Sequence, residues 1–276
     1  MKKIAYVWFA AFALSVLLLG TTAEAKVTVA DTTVYSFSLA SEADLSVRNV
    51  NGGIVIRGWD KDSARVTVEK IVTASRSSVA RHFLREVEIN FDSDETHLDI
   101  EPKLPKGANG NWNFFDWIFG TGEHAKVRVN FVILVPRKLN AEVENVNGRI
   151  DIKNLAGELD VKCTNGRVTL ENVTGDISAK TVNGRLRVKI SDARALDDLT
   201  LKTINGSVTV WLPNDIGGKV DLGTLNGSIT TDFPLELRGK IAKHEMRGRI
   251  GKGHSRIRIN TLNGSIRLLK QNPEEK

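Results

Sequence analysis

The chain has 276 residues, of which 41% are hydrophobic and 26% are charged, as is ordinary for a globular protein. Its formal net charge of +6 permits contact with anionic glycans or lipid headgroups without requiring either. The single cysteine, Cys163, excludes an internal disulfide framework and a cysteine-rich zinc site.

The N-terminus has the pattern of a signal peptide over residues 1–25. Two lysines precede an apolar run from Ile4 to Leu19, and Ala23-Glu24-Ala25 is an A-x-A cleavage pattern. An uncleaved membrane anchor is the alternative, since a bilayer span needs about 20 apolar residues. Cleavage after Ala25 would remove two lysines and one glutamate and leave a net charge of +5. We therefore expect an exported protein that resides in the periplasm, at the outer-membrane surface, or outside the cell.

Residues 26–138 predict a β-rich segment with one short helix. The helix is expected over residues 77–86, with Ser77 as a possible N-cap and Val79 and Phe83 on one face. A hairpin is expected around residues 92–95. An open solenoid end exposes unpaired backbone groups, so we expect this segment to cap one end of the repeat region that follows.

An aromatic segment at residues 107–122 lies within that cap and is bracketed by glycines. The segment either folds over an open sheet face or contacts a ligand, a partner or a membrane surface. Its candidate binding residues are Trp112, Phe114, Phe115, Trp117 and Phe119.

An internal repeat organises residues 139–270, and an earlier copy begins at Asn51-Gly52. The steps between successive Asn-Gly pairs from Asn147 onward are 18, 18, 22, 21 and 37 residues. A degenerate copy at residues 246–250, with Arg247 in the asparagine position, is expected to fill the long last gap. The expected turn residues are Asn147, Gly148, Asn165, Gly166, Asn183, Gly184, Asn205, Gly206, Asn226, Gly227, Asn263 and Gly264.

The register around these pairs predicts a β-solenoid with about 18–22 residues per coil. Aliphatic residues follow each glycine with a period of two, and threonine recurs two positions before most of the asparagines. Stacked coils place equivalent residues above one another, so asparagines can form a hydrogen-bonded ladder, and glycine permits the positive φ of a bend. A β-meander or sandwich with Asn-Gly hairpins is the alternative.

Two basic columns follow from the same register. Stacking would place like charges about 5 Å apart, which is unfavourable unless acidic neighbours or a bound anion compensates it. One column follows the glycines and is expected to continue at Arg249 in the degenerate copy. The members of the two columns are Arg149, Arg167 and Arg185, and Lys162, Lys180 and Lys202.

The run Asn49 to Asp60, followed by repeated Thr-x-Asn-Gly, resembles the bacterial "putative adhesin" family of domains of unknown function, over about residues 37–270. It is also similar to the head domains of autotransporter-like adhesins. The resemblance implies a β-solenoid and surface adhesion, and it supplies no catalytic residues to carry over. A polar tail, residues 271–276, follows the repeats.

These observations favour an exported, non-enzymatic surface-interaction module with a glycan, an envelope surface or another protein as its partner. No cofactor, metal ion or nucleic acid is expected, because the five histidines lack metal-ligand spacing and phosphate-binding motifs are missing. A carbohydrate-active enzyme built on a β-helix and a periplasmic structural or regulatory module are the alternatives. The oligomeric state is not predicted.

Overall fold

The computed structural model describes residues 26–104, 125–237 and 244–271. The first part of the chain forms seven strands and one helix. Their bounds are β1 (Val27–Ser38), β2 (Ala43–Asn51), β3 (Ile54–Trp59), β4 (Ser63–Ala74), α1 (Ser77–Glu86), β5 (Glu88–Ser93), β6 (His97–Lys103) and β7 (Lys126–Pro136).

The remainder forms the stacked coils. Its strands are β8 (Leu139–Asn147), β9 (Ile150–Lys153), β10 (Leu159–Asn165), β11 (Val168–Val173), β12 (Ile177–Asn183), β13 (Leu186–Ile190), β14 (Asp198–Asn205), β15 (Val208–Leu212), β16 (Gly218–Asn226), β17 (Ile229–Thr231), β18 (Glu236–Leu237), β19 (Glu245–Ile250), β20 (Ser255–Asn263) and β21 (Ile266–Lys270).

The strands form two sheets, and each coil contributes one strand to each sheet. The sheet order is β1-β4-β7-β3-β9-β11-β13-β15-β21-β17 in sheet A and β18-β19-β16-β20-β14-β12-β10-β8-β2-β6-β5 in sheet B. Neighbouring coils run parallel and in register, so that Asn165, for example, lies between Asn147 and Asn183. The predicted β-solenoid is therefore confirmed, because a meander would place neighbouring strands antiparallel.

The core lies between the two sheets and consists of files of aliphatic side chains. One file of sheet B contains Val47, Val143 and Val161 at matched register positions, and all three are fully buried. Burial of each such side chain contributes about 1.5–3 kcal/mol to the free energy of folding. Because the spacing is the same in every coil, each coil makes a similar contribution. The alternation of buried and exposed residues along each strand leaves the other half of the side chains on the outer faces.

The N-terminal segment forms the predicted cap with one short helix. In sheet A, β1 and β4 pair antiparallel and β4 pairs antiparallel with β7, while β6 and β7 run parallel to β2 and β3. Helix α1 packs against β1 and β4, where Ala80 is buried. The expected N-cap is wrong: Arg76 occupies that position and makes no side-chain cap, whereas Ser77 Oγ accepts a hydrogen bond from Arg81 at 3.1 Å.

The prediction of a degenerate coil at residues 246–250 is also wrong. Strand β19 lies in sheet B and pairs antiparallel with β16, so it cannot be a coil in the parallel stack. Arg249 consequently lies opposite Lys219 in sheet B and does not continue the arginine column of sheet A. The final coil, β20–β21, instead lies between the coils β14–β15 and β16–β17.

The glycines of the Asn-Gly turns are required chiefly by the close approach of the next coil. A positive φ occurs at Gly52 and Gly148, as expected. At Gly184, by contrast, a Cβ atom would lie 1.6 Å from the carbonyl oxygen of Gly166, and at Gly206 it would lie 1.6 Å from that of Gly184. The proposed conformational role of glycine therefore holds for the first two of these turns, and the later turns need glycine because no side chain fits.

Candidate functional site

The asparagines form a continuous ladder along one edge of the solenoid. From Asn147 onward, each amide nitrogen donates to the amide oxygen of a neighbouring asparagine in the ladder at 2.8–2.9 Å. Such a ladder fixes the register of the coils, because a shift by one residue would break every bond in it. Its members in spatial order are Asn51, Asn147, Asn165, Asn183, Asn205, Asn263 and Asn226.

A second file, two positions earlier, carries buried polar side chains that bond to the glycine carbonyl of the adjacent coil. Thr261 Oγ1 donates to Gly206 O at 3.0 Å, and Cys163 Sγ approaches Gly148 O at 3.4 Å. Burial raises the pKa of the Cys163 thiol from 9.0 to about 11. Cys163 is thus a buried, protonated packing residue, which is the opposite of what a nucleophilic cysteine requires.

The outer face of sheet B carries a groove of about 820 Å³ beside the asparagine ladder. One side of the groove is the lysine file, in which Lys162, Lys180 and Lys202 occupy adjacent register positions on β10, β12 and β14. The other side is an exposed aliphatic file. The exposed fractions of its large members are 37% for Val182, 44% for Ile204 and 43% for Leu262. Leu225 on β16, 59% exposed, continues the file beyond the groove.

The charges along the lysine file are unevenly compensated. Lys162 Nζ lies 2.9 Å from Glu144, 3.0 Å from Glu142 and 3.3 Å from Asp160. These carboxylates raise the pKa of Lys162 above its ordinary value. Lys180 and Lys202 form no ion pair with any described residue, although they are direct neighbours. The uncompensated positive charge therefore lies in the half of the groove that the aliphatic file lines.

The arginine column lies on the other sheet and belongs to a different surface. Arg149, Arg167 and Arg185 precede β9, β11 and β13, and the register of those strands makes the three residues neighbours. Arg149 pairs with Asp151 at 3.3 Å, and the side chains of all three arginines are exposed. The structure thus places the arginine column and the lysine column on different sheets, which the sequence could not establish.

The remaining predicted site residues lie outside the described residues. These are the aromatic residues Trp112, Phe114, Phe115, Trp117 and Phe119. The described residues contain no helix with the length and hydropathy needed to cross a bilayer. They also contain no group of three or more histidine, cysteine or acidic side chains able to hold a metal ion.

The exposed aliphatic file was missed as a candidate site, although the sequence carries a signal for it. Val182 is two residues after Lys180, and Ile204 is two residues after Lys202. Side chains two apart on a strand share a face, so the outward lysines place these aliphatic residues outward as well. Exposed aliphatic residues in one file on successive coils are the kind of contiguous apolar surface that marks a binding site.

Two parallel sheets built from short coils, with an asparagine ladder at the turns and an antiparallel cap, define a β-solenoid domain. The family model described as Toastrack DUF4097 matches residues 22–269, and the chain belongs to this family. No curated protein matches the chain significantly.

Several solved structures are similar to the chain at low identity. A "putative cell adhesion protein" from Clostridium sporogenes ATCC 15579 is 14% identical, with a TM-score of 0.46, over 89% of this chain and 100% of that one. A "putative adhesin" from Bacteroides fragilis NCTC 9343 is 10% identical, with a TM-score of 0.41, over 86% and 97% of the two chains. A "putative lipid binding protein" from Parabacteroides distasonis ATCC 8503 is 10% identical, with a TM-score of 0.29, over 88% and 97%.

Proposed function

We propose that this chain is an exported, non-enzymatic interaction module that binds anionic amphiphiles at envelope surfaces through the groove of sheet B. The observation that carries the proposal is the juxtaposition of two unpaired lysines with the exposed aliphatic file. An anionic headgroup placed at Lys180 and Lys202 would relieve their mutual repulsion. The hydrocarbon part of the same molecule would cover Val182, Ile204 and Leu262 and remove their apolar surface from water.

The groove does not favour the alternative of a glycoside hydrolase. Such an enzyme needs two carboxylates that flank the scissile bond, one of which must be free to act as an acid. Glu101 and Glu144 line the groove, but the Glu144 carboxylate is engaged by Lys162 at 2.9 Å, so the two do not form a pair of free carboxylates. Lys180 and Lys202 are the groove cations next to the aliphatic file, and unpaired lysines suit recognition of anions.

The pattern of residues 1–25 supports the proposed location. A chain cleaved after Ala25 would enter the envelope with a net charge of +5 and with the groove accessible. Expression of the full-length chain, followed by fractionation and N-terminal sequencing, tests this part. A mature N-terminus at Lys26 in an envelope fraction or the medium supports export, whereas an uncleaved chain in the cytoplasm contradicts it.

Vesicle co-sedimentation of residues 26–276 tests the binding. Vesicles of phosphatidylcholine with 30% phosphatidylglycerol are expected to bind the protein, and vesicles of pure phosphatidylcholine are expected to bind it weakly. The double variant Lys180→Glu, Lys202→Glu should abolish most of the difference in binding between the two kinds of vesicle. The reason is that two glutamates would repel the anionic headgroups that the lysines are proposed to attract.

A matched pair of variants tests the aliphatic file. Ile204→Ser and Leu262→Ser together should weaken vesicle binding about tenfold or more, since each removes exposed apolar surface from the groove. Val132→Ser is the control, because Val132 is also 43% exposed but lies on β7 in sheet A. Equal losses from the groove variant and the control would refute the assignment of binding to the groove.

A further inference from the structure

A second concave region lies on the outer face of sheet B, where the last strands of that sheet meet. It has a volume of about 370 Å³ and is formed by β16, β19 and β20. In one row across these strands, Lys219 lies between Arg256 of β20 and Arg249 of β19. Two positions further along, Arg258 and Arg247 flank Asp221 in the same way.

The first row brings three cations together on neighbouring strands about 5 Å apart. Like charges at directly opposed positions destabilise a sheet, so the row has an electrostatic cost that a bound anion would relieve. Acidic residues end the row on both sides, because Asp198 of β14 lies opposite Arg256 and Glu236 of β18 lies opposite Arg249, but neither neighbours Lys219. Glu236 forms no ion pair with Arg249, and the other two carboxylates are engaged by arginines. Asp198 is shared by Arg256 and Arg258 at 3.4 and 2.8 Å, and Asp221 pairs with Arg247 at 3.4 Å.

Lys219 is the free cation of the row. It is exposed and forms no ion pair within residues 26–104, 125–237 and 244–271. Arg249 on one side is held in place by hydrogen bonds to the carbonyl oxygens of Gly251, at 3.2 Å, and Gly253, at 2.5 Å. Arg256 on the other side is oriented by Asp198. The free ammonium group is thus flanked by two guanidinium groups that each contact another part of the fold.

We propose that the row formed by Arg256, Lys219 and Arg249 binds the oxyanion of a phosphate group. Guanidinium groups match the oxygen geometry of phosphate, and an ammonium group between them adds a third set of donors. The phosphate could belong to a soluble molecule or to a lipid headgroup, and both present the same chemistry to the row. This inference is independent of the proposed function, because it rests on different residues and needs no apolar contact.

The test is calorimetric titration of residues 26–276 with inorganic pyrophosphate at constant ionic strength. Lys219→Ala is expected to weaken binding about tenfold, as loss of one charge-assisted contact would. Lys138→Ala is the matched control, because Lys138 is an exposed lysine without an ion pair among the described residues, and it lies outside this region. Thermal unfolding of both variants verifies that the fold is retained.

Vesicles distinguish the two sources of phosphate. The second measurement is binding to phosphatidylcholine vesicles that contain 20% phosphatidic acid. If Lys219→Ala weakens pyrophosphate binding but leaves binding to these vesicles unchanged, the row is assigned to a soluble phosphate. If Lys219→Ala also weakens binding to these vesicles, the row is assigned to a lipid headgroup. If Lys219→Ala and Lys138→Ala reduce binding equally, or if wild-type protein binds neither ligand, the proposal is overturned. Loss of vesicle binding in the Lys180→Glu, Lys202→Glu variant with intact pyrophosphate binding would separate this row from the groove.

Discussion

Asn226 Nδ2 donates a hydrogen bond to Asn263 Oδ1 at 2.8 Å, although Asn263 follows it by 37 residues. Asn263 in turn donates to Asn205 at 2.8 Å. The last coil of the chain therefore separates two coils that are consecutive in sequence. The ladder continues without a gap because each coil from β2–β3 onward has an asparagine at the same register position.

Removal of the inserted coil should destabilise the protein far more than its length suggests. A chain ending at Ile250 lacks β20 and β21, which leaves β14–β15 and β16–β17 without the partner that lies between them. We expect loss of cooperative unfolding for this part of the solenoid, as measured by thermal denaturation and hydrogen exchange. Deletion of residues 272–276 is the control and should leave the melting temperature unchanged. An unaltered transition in the longer truncation would contradict the observed coil order.

Gly184→Ala should destabilise the protein by about 3 kcal/mol or more, because the new Cβ atom would overlap a backbone carbonyl that cannot move independently. That atom would lie 1.6 Å from Gly166 O. Gly53→Ala is the matched control, since its Cβ atom would have its nearest contact at 3.5 Å, with Arg149 Cγ. Denaturant unfolding measures both free energies, and similar values for the two variants would disprove the steric role of the turn glycine.

Lys162 and Lys180 should differ in their effect on stability despite their adjacent positions. Lys162→Ala leaves three carboxylates without their shared cation, so we expect a loss of about 1 kcal/mol at low salt that diminishes as salt rises. Lys180→Ala removes one member of a repelling pair and should change the free energy of unfolding by less than about 0.5 kcal/mol, in the stabilising direction. Urea denaturation at two ionic strengths measures the contrast, and equal losses would be inconsistent with the charge distribution described.

Cys163 should make the stability fall at high pH. Its pKa is raised by burial from 9.0 to about 11, so the folded state retains a proton that the unfolded chain releases. The corresponding stability is complete below about pH 9 and is lost as pH rises from 9 toward 11. Cys163→Thr removes this titration and places a hydroxyl group in a file that already contains threonines. The variant should therefore show a flatter stability profile above pH 9, and coincident profiles would count against the assignment.

The same thiol should resist alkylation in the folded protein. Cys163 is buried, so iodoacetamide labelling at pH 8 should require unfolding and accelerate at least about a hundredfold in denaturant. Mass spectrometry of timed samples measures the rate.

The repeat alone predicted the solenoid, its Asn-Gly turns and the files of matched side chains, and the parallel register of the strands excluded the meander that the same pairs allow. Asparagine, glycine and alternating aliphatic residues at fixed spacing are local features, and a strand with period two has only one way to bury its apolar face. The helix at residues 77–86 was likewise predicted within its observed bounds, since its apolar spacing is local.

Only the tertiary structure decided which coil neighbours which. Identical register positions make every coil an acceptable partner for every other, so the sequence could not show that β20–β21 enters between earlier coils or that β6 and β7 add a coil before β2–β3. The antiparallel strand β19 redirects the chain, and no local pattern distinguishes it from a degenerate repeat. For the same reason the row of Arg256, Lys219 and Arg249 cannot be predicted from the sequence. Its members come from three strands that are neighbours only through long-range pairing, and that pairing depends on the packing of the whole stack.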